Sequence, residues 1–324
     1  MAAQNNMGKN TASGGKSKWI FIIGILFILW LISIVAAGAI SLYFGGDYSI
    51  ESKMGQGNVA VISVKGEITG DKTGSLLLDE GTASTTVVKF IKAADKDQGV
   101  KAILLEINSP GGAAVASEEI MAAFSKSQKL KVAVIRDVGA SGAYWIASPA
   151  DRIFASRMSL TGSIGVISSY LQFEGTMRKY GITYERLVAG EYKDIGSPFR
   201  NITDEEKTMF QEKIDKIHEY FLKSVADNRN MSKENIAIVS HGSFFLGEEA
   251  LELGLIDEIG NKDDAVKYIE QEINASAKLV QYEERRGLFN SIIDTMSHQS
   301  FYVGQGIGSV ISRPGIEESI NIRT

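Results

Sequence analysis

The sequence predicts an α/β protein built around a parallel sheet, and three observations carry that expectation. Short apolar runs rich in Val, Ile and Leu alternate with segments of helical spacing, the pattern of strand–helix–strand units with right-handed crossovers and a covered sheet. Glycine-rich turns directly follow two of these runs, where a strand must exit sharply into a helix. The 324 residues, 44% hydrophobic and 23% charged, allow two average domains or one large α/β unit with appendages.

Residues 1–18 form a polar segment with Lys9, Lys16 and Lys18 and no acidic residue. From Trp19 to Phe44 runs a stretch of 26 residues without a charge, longer than the roughly 20 that a bilayer-crossing helix needs. Trp19, Tyr43 and Phe44 stand where interfacial anchors belong, and lysines before the span predict a cytoplasmic N-terminus with an extracytoplasmic body. A single-pass signal anchor in the cell membrane is the expectation. The rival is a cleaved signal peptide, with Ala37-Gly38-Ala39 as the cleavage site, although the apolar run exceeds the usual 7–15 residues of such a segment by about twofold. A linker over 45–57 leads into the body, 58–286, and a Gly- and Ser-containing tail, 287–324, closes the chain.

Within the body, Val59–Val64 reads as a buried strand, followed by a helix over 85–95 with Val88, Ile91 and Lys92 at helical spacing. Ala102–Ile107 is the next strand, ending in Asn108-Ser109-Pro110-Gly111-Gly112, and a helix follows over 115–126. Val132–Ile135 and Arg152–Ala155 are further strands, and an apolar strand is expected around Tyr184–Val188. Thr203 caps a long helix to Asn228, with Glu206 completing a capping box and Met209, Phe210, Ile214, Ile217 and Phe221 forming a stripe for core or subunit packing.

Composition narrows the chemistry. The chain has no Cys, which excludes disulfides, thiol catalysis and Cys-based metal sites, and its three His (His218, His241, His298) argue against a multi-His metal centre. A net charge of −5, with +3 in residues 1–18 and −8 beyond them, offers no basic footprint for nucleic acid. What remains is chemistry by hydroxyls, lysine, carboxylates and backbone amides. Gly139-Ala140-Ser141-Gly142-Ala143-Tyr144 presents Ser141 at the apex of a strand-to-helix turn, similar in logic to a nucleophile elbow. The Pro110-Gly111-Gly112 turn offers backbone N–H groups to an oxyanion. A serine nucleophile needs a base. A histidine is the default, but His218 lies within the long helix, His241 in a surface turn and His298 in the tail. The alternative is a lysine made neutral by burial; Lys193, in the Gly190–Gly196 loop, is one such lysine among many solvated ones.

Taken in order, Asn108–Gly112, Gly139–Tyr144, Ser159-Leu160-Thr161-Gly162-Ser163-Ile164-Gly165-Val166, Tyr192-Lys193 and Phe245–Asp257 resemble the signal peptide peptidase A (protease IV) family of serine peptidases. The likeness covers about residues 58–282 and is to the short, single-repeat, membrane-anchored type. It implies a crotonase-like, Clp-type α/β fold with stacked sheets and flanking helices. It also implies a Ser-Lys dyad: Ser141 as nucleophile, Lys193 as general base, backbone N–H of Gly112 and Gly142 as oxyanion donors, and Ser163 orienting Lys193. No cofactor or metal is implied. The implied partners are peptide substrates (remnant signal peptides and other apolar segments), the membrane, and further copies of the chain in a homo-oligomer whose dyads cross subunits. Two rival readings are a crotonase-type acyl-CoA enzyme and a catalytically inactive membrane scaffold of the same fold. The tail at 287–324 adds a separate expectation, a self-cleaved or autoinhibitory segment set against a merely disordered one.

Overall fold

The computed structural model describes residues 15–44, 57–71 and 81–283. The expectations for most of the N-terminal segment and linker, and for the whole tail at 287–324 with His298, lie outside the described residues. The chain divides into two compact units, residues 1–51 with 285–324, and Ser52–Glu284.

In the first unit the described part is helix α1, Gly15–Phe44. Its side chains are described over 21–36 and at 38, all exposed. Among the described residues no helix is long and apolar enough to cross a membrane. The span expected over 19–44, with its anchors Trp19, Tyr43 and Phe44, therefore rests on the sequence run.

The second unit runs β1 (Val59–Thr69), β2 (Thr82–Ala83), α2 (Ser84–Lys96), β3 (Ala102–Gly112), α3 (Ala114–Ser125), β4 (Leu130–Ala140), α4 (Gly142–Ala147), β5 (Arg152–Ala155) and β6 (Leu160–Gly162). It continues with α5 (Glu174–Lys179), α6 (Asp204–Arg229), α7 (Lys233–Val239), β7 (Phe244–Leu246), α8 (Gly247–Glu252), β8 (Glu258–Ile259), α9 (Lys262–Ile273) and β9 (Leu279–Tyr282). The strands lie in the order β2-β1-β3-β4-β5-β8, all parallel, with β9 also joining β1. The parallel α/β fold is thus as expected. The stacked sheets are not: the nine strands among the described residues form one branched sheet. It branches at β1, whose residues 59–62 pair with β9 while 68–69 pair with β2, and at β4, whose residues 132–135 pair with β5 while 138–140 pair with β6; β6 in turn pairs antiparallel with β7.

Because both faces are covered, β1, β3 and β4 read as continuous apolar runs. Val59, Val61, Leu104, Val132 and Val134 pack with Ala265 and Ile269 of α9, and the alternate residues point to the opposite face. On α2 the buried stripe is Ser84, Val87, Phe90, Ile91 and Ala94. Lys92 is exposed and Val88 half-buried, so the expected stripe was rotated by one position. The long helix α6 begins with the predicted Thr203–Glu206 capping box. Only Phe221 and Val225 of its apolar residues are buried; Met209, Phe210 and Ile214 are half-buried and Ile217 is exposed.

Residues 182–188 form no strand, which corrects the expectation for Tyr184–Val188. The run belongs to an irregular arm over 163–203 that folds on itself, through Tyr184 against Phe199 at 5.6 Å and the Phe173 amide on the Pro198 carbonyl. No other described strand lies alongside it, so its apolar, β-prone residues have no ladder to join.

Candidate active site

Three strand ends meet at one edge of the sheet, those of β3, β4 and β6, at the carboxyl ends where open α/β sheets bind their ligands. The Asn108–Gly112 turn is fastened on both sides. The Asn108 side chain accepts from the Val138 amide at 3.1 Å and donates to Asp137 at 2.9 Å. The buried Ser109 hydroxyl donates to the Gly66 carbonyl at 2.6 Å and accepts from the Gly111 amide at 3.1 Å. Register shifts in β1 at Lys65/Glu67 and in β3 at Ile107/Ser109 accompany these bonds; such bulges re-aim a strand next to a site. Gly111 has φ +101, a conformation that favours glycine.

Ser141 follows β4 as the N-cap of α4, with φ 54 and ψ −129. The other described non-glycine residues at positive φ are Ser163, Asn230 and Asn274, and the two asparagines are ordinary left-handed helix caps. Ser141 is held in its conformation by its own amide on the Gly162 carbonyl at 2.8 Å and by its carbonyl, which accepts from Trp145 at 3.0 Å. A Cβ on Gly142 would run into the Ser117 hydroxyl and stand 3.5 Å from the Gly112 nitrogen. The amides of Gly112 and Gly142 therefore flank the Ser141 turn at close range. Gly112 is exposed, which leaves its edge of the turn open to a ligand.

Helix α4 is buried along its whole length, and its side chains fix it to distant elements. The Tyr144 hydroxyl donates to the Leu255 carbonyl at 2.7 Å, and burial raises its pKa far above the usual phenol range. The Trp145 indole donates to Ser224 at 2.8 Å and stacks on Phe221 at 4.8 Å. Asp257 pairs with Arg229 at 2.8 Å and accepts from the Ile153 amide at 2.7 Å. The Phe245–Asp257 segment thus braces the helix that Ser141 caps. Sequence reasoning missed these supports and those of Asn108 and Ser109; the visible signals were a Tyr and a Trp in an otherwise small-residue helix, and Gly66 within a strand run.

Ser163, with φ 50, donates its amide to the Ser243 carbonyl at 2.8 Å and follows Gly162, the acceptor of the Ser141 amide. The structure therefore brings Ser141, Gly142, Gly112 and Ser163 to one strand-end cluster. Lys193 is not brought to it by any described bond. It is exposed in a turn over 190–196, and neither its amine nor the Ser141 hydroxyl has a hydrogen-bond partner among the described residues. His218 bonds the Ile164 carbonyl at 3.1 Å and His241 is exposed; neither has a described bond to Ser141. Among the described residues no group of three or more His, Asp or Glu is placed to hold a metal ion.

The sequence pattern of peptidase family S49 matches residues 123–276. A protein of Methanocaldococcus jannaschii designated a protease is 34% identical over 301 residues, which cover 91% of this chain and 94% of that one. The chain belongs to peptidase family S49, the signal peptide peptidase A family. An Enterococcus faecium protein designated signal peptide peptidase SppA is 29% identical over 90% of this chain and 89% of its own. Protease 4 of Haemophilus influenzae is 34% identical over 67% of this chain and 35% of its own length. As a member of a serine peptidase family its substrates are peptides.

Proposed function

We propose that the protein is a membrane-anchored serine endopeptidase that works with a Ser141–Lys193 dyad assembled between neighbouring subunits. The observation that carries this reading is the Ser141 turn itself, with φ 54 and ψ −129 and the Gly112 and Gly142 amides beside it. Neutral Lys193 accepts the Ser141 proton, and Oγ attacks the scissile carbonyl. The two amides hold the tetrahedral oxyanion, Lys193 returns the proton to the departing amine, and water then repeats the cycle on the acyl-enzyme. Ser163, beside the nucleophile turn, orients the incoming amine.

Two observations support the crossing of subunits. Within one chain Lys193 is exposed and 52 residues beyond Ser141 in sequence. The arm that bears it also exposes Ile167, Leu171, Tyr180 and Leu187, with Ile167 at 92% and Leu187 at 95%. An unpaired apolar run of this kind is a template for a second chain. The uncharged run 19–44 supports an anchor with a cytoplasmic N-terminus and an extracytoplasmic peptidase. An anchored peptidase meets remnant signal peptides and other apolar segments there, and an extended peptide fits the strand-end cluster. The tail over 287–324 is proposed as a segment that the enzyme removes from itself.

The test is activity of Ser141→Ala and Lys193→Ala, separately and after co-assembly, on an apolar peptide. Each alone is expected to be inactive, and the mixed oligomer to regain activity. Failure of complementation in verified mixed oligomers would sink the shared dyad, and full activity of Ser141→Ala would sink the nucleophile. Identical C-termini in wild type and Ser141→Ala would sink self-removal of the tail.

A further inference from the structure

The turn that carries Lys193 is gripped by a charged network that the reaction as written does not use. The Asp194 carboxylate accepts from Arg186 Nε and Nη2 at 2.8 and 2.7 Å, and from Arg200 Nε and Nη2 at 2.9 and 3.1 Å. Arg200 also forks onto Glu206, at 2.8 and 2.5 Å. Glu206 accepts the Thr203 amide at 2.9 Å as part of the α6 capping box. Arg186 reaches further, to the Glu191 carbonyl at 2.7 Å, and the Tyr192 hydroxyl donates to Glu205 at 2.7 Å. Bonds therefore fall on Glu191, Tyr192 and Asp194, on both sides of Lys193, and tie its turn to the N-terminus of α6. The cluster is well shielded for a surface feature, with side-chain exposures of 14% for Asp194, 19% for Arg200 and 4% for Glu206.

We propose that the Arg186–Asp194–Arg200–Glu206 network is the positioning device of the general base. It fixes the turn that projects Lys193 outward, and it holds the adjacent Asp194 carboxylate on two arginines and off the lysine amine. The inference rests on the reading of Lys193 as base. A base must lose its proton, whereas a carboxylate within about 4–6 Å favours the ammonium form. The charged groups around the turn are Arg186, Glu191, Asp194 and Arg200, with Asp204, Glu205, Glu206 and Lys207 from α6 and Glu174 joined through Asn201. Of these carboxylates, Asp194 and Glu206 are bound to arginine, Glu205 to Tyr192 and Asp204 to Lys207. Two planar guanidinium forks are needed because one arginine must span two carboxylates while the other caps Asp194. The hydrogen bonds from Arg186 and then Arg200 hold the Asp194 carboxyl well below the usual carboxylate range, so it stays charged and committed wherever the peptidase works.

The experiment is the pH profile of kcat/KM on an apolar peptide, measured with the full chain in detergent micelles. The variants are Arg186→Gln, Arg186→Gln with Asp194→Asn, and Lys193→Ala. Arg186 is the most exposed member, and the Arg200–Glu206 pair and the capping box survive its loss. In Arg186→Gln the midpoint of the alkaline rise in activity is expected to move up by about one unit, with activity at pH 7 about tenfold lower and recovered at high pH. Adding Asp194→Asn is expected to move the midpoint back down. An unmoved midpoint, or a loss equal at every pH, would overturn the proposal, as would an upward shift that Asp194→Asn leaves in place. Activity surviving in Lys193→Ala is a different result: it removes the base assignment itself, whatever the arginine variants do.

Discussion

A Cβ built on Gly111 would lie 2.9 Å from the Ser141 Cβ and 2.8 Å from the Gly142 nitrogen. The ends of β3 and β4 are thus in direct contact at Ser141, with no room for a side chain between them. The two glycine turns are one structural object, and the spacing of the Gly112 and Gly142 amides is set by how closely they approach.

Gly142→Ala follows from that contact. Its methyl group would run into the Ser117 side chain, at the hydroxyl oxygen and 3.0 Å from Cβ, so the Gly142 turn or α3 must shift. Removal of one oxyanion donor lowers rates about 10²–10³-fold, and displacing the turn that aims the Gly142 amide is expected to act as strongly. Steady-state kinetics should show the fall in kcat. A Gly142→Ala enzyme within tenfold of wild type would mean that the oxyanion is held elsewhere.

The Ser141 backbone gives an opposite sign for stability. At φ 54 and ψ −129 an L residue is strained by about 1–3 kcal/mol, whereas glycine adopts positive φ readily at the expense of about 0.5–1 kcal/mol in chain entropy. Ser141→Gly is therefore expected to be more stable than Ser141→Ala by about 1 kcal/mol, both being inactive. Denaturant unfolding checks the ordering. Equal stabilities, or a more stable alanine variant, would show that the turn relaxes without strain.

Much of the site was visible in the sequence because its glycines do local work. Gly111, Gly112 and Gly142 stand where strands end and backbones touch, and Ser141 was placed at its apex by the flanking glycines alone. The strands 102–107 and 132–135 were legible from apolar runs buried on both faces. The β4 branch was not, because pairing 138–140 with β6 depends on a partner more than 20 residues away. The expected strand at 184–188 failed for the converse reason: β propensity is present but a neighbour is absent among the described residues. Lys193 was indistinguishable by composition, since nothing in Tyr192-Lys193-Asp194 shows that Arg186 and Arg200 converge on Asp194.

Tyr144 tests how firmly α4 must be held. Its ring is fully buried and its hydroxyl donates to the Leu255 carbonyl across 111 residues of chain. Tyr144→Phe keeps the packing and loses that bond, which is expected to lower stability by about 1 kcal/mol and the melting temperature by about 2–4 °C. If the bond sets the angle of the Ser141 turn, kcat falls while KM stays within twofold. A variant with wild-type kcat would confine Tyr144 to stability alone.

Acid should loosen the Lys193 arm before it unfolds the sheet. Arg200 and then the Thr203 amide hold Glu206 at about 2 in the folded protein, and Asp194 is lowered as well by Arg186 and Arg200. In unfolded chains such groups titrate at about 4. Because the folded values are depressed, the stabilisation is fully present above the unfolded pKa and is lost as pH falls through the folded one. For Glu206 that window runs from pH about 4 down to about 2. Amide hydrogen exchange, corrected for intrinsic rates, should show protection over 190–206 falling between pH about 4 and about 2 while β3 and β4 remain protected. In Glu206→Gln, which retains an N3 capping group, protection of that segment should already be low at pH 5 and change little on acidification. The same decline in wild type and variant would place the acid-sensitive contact outside the network.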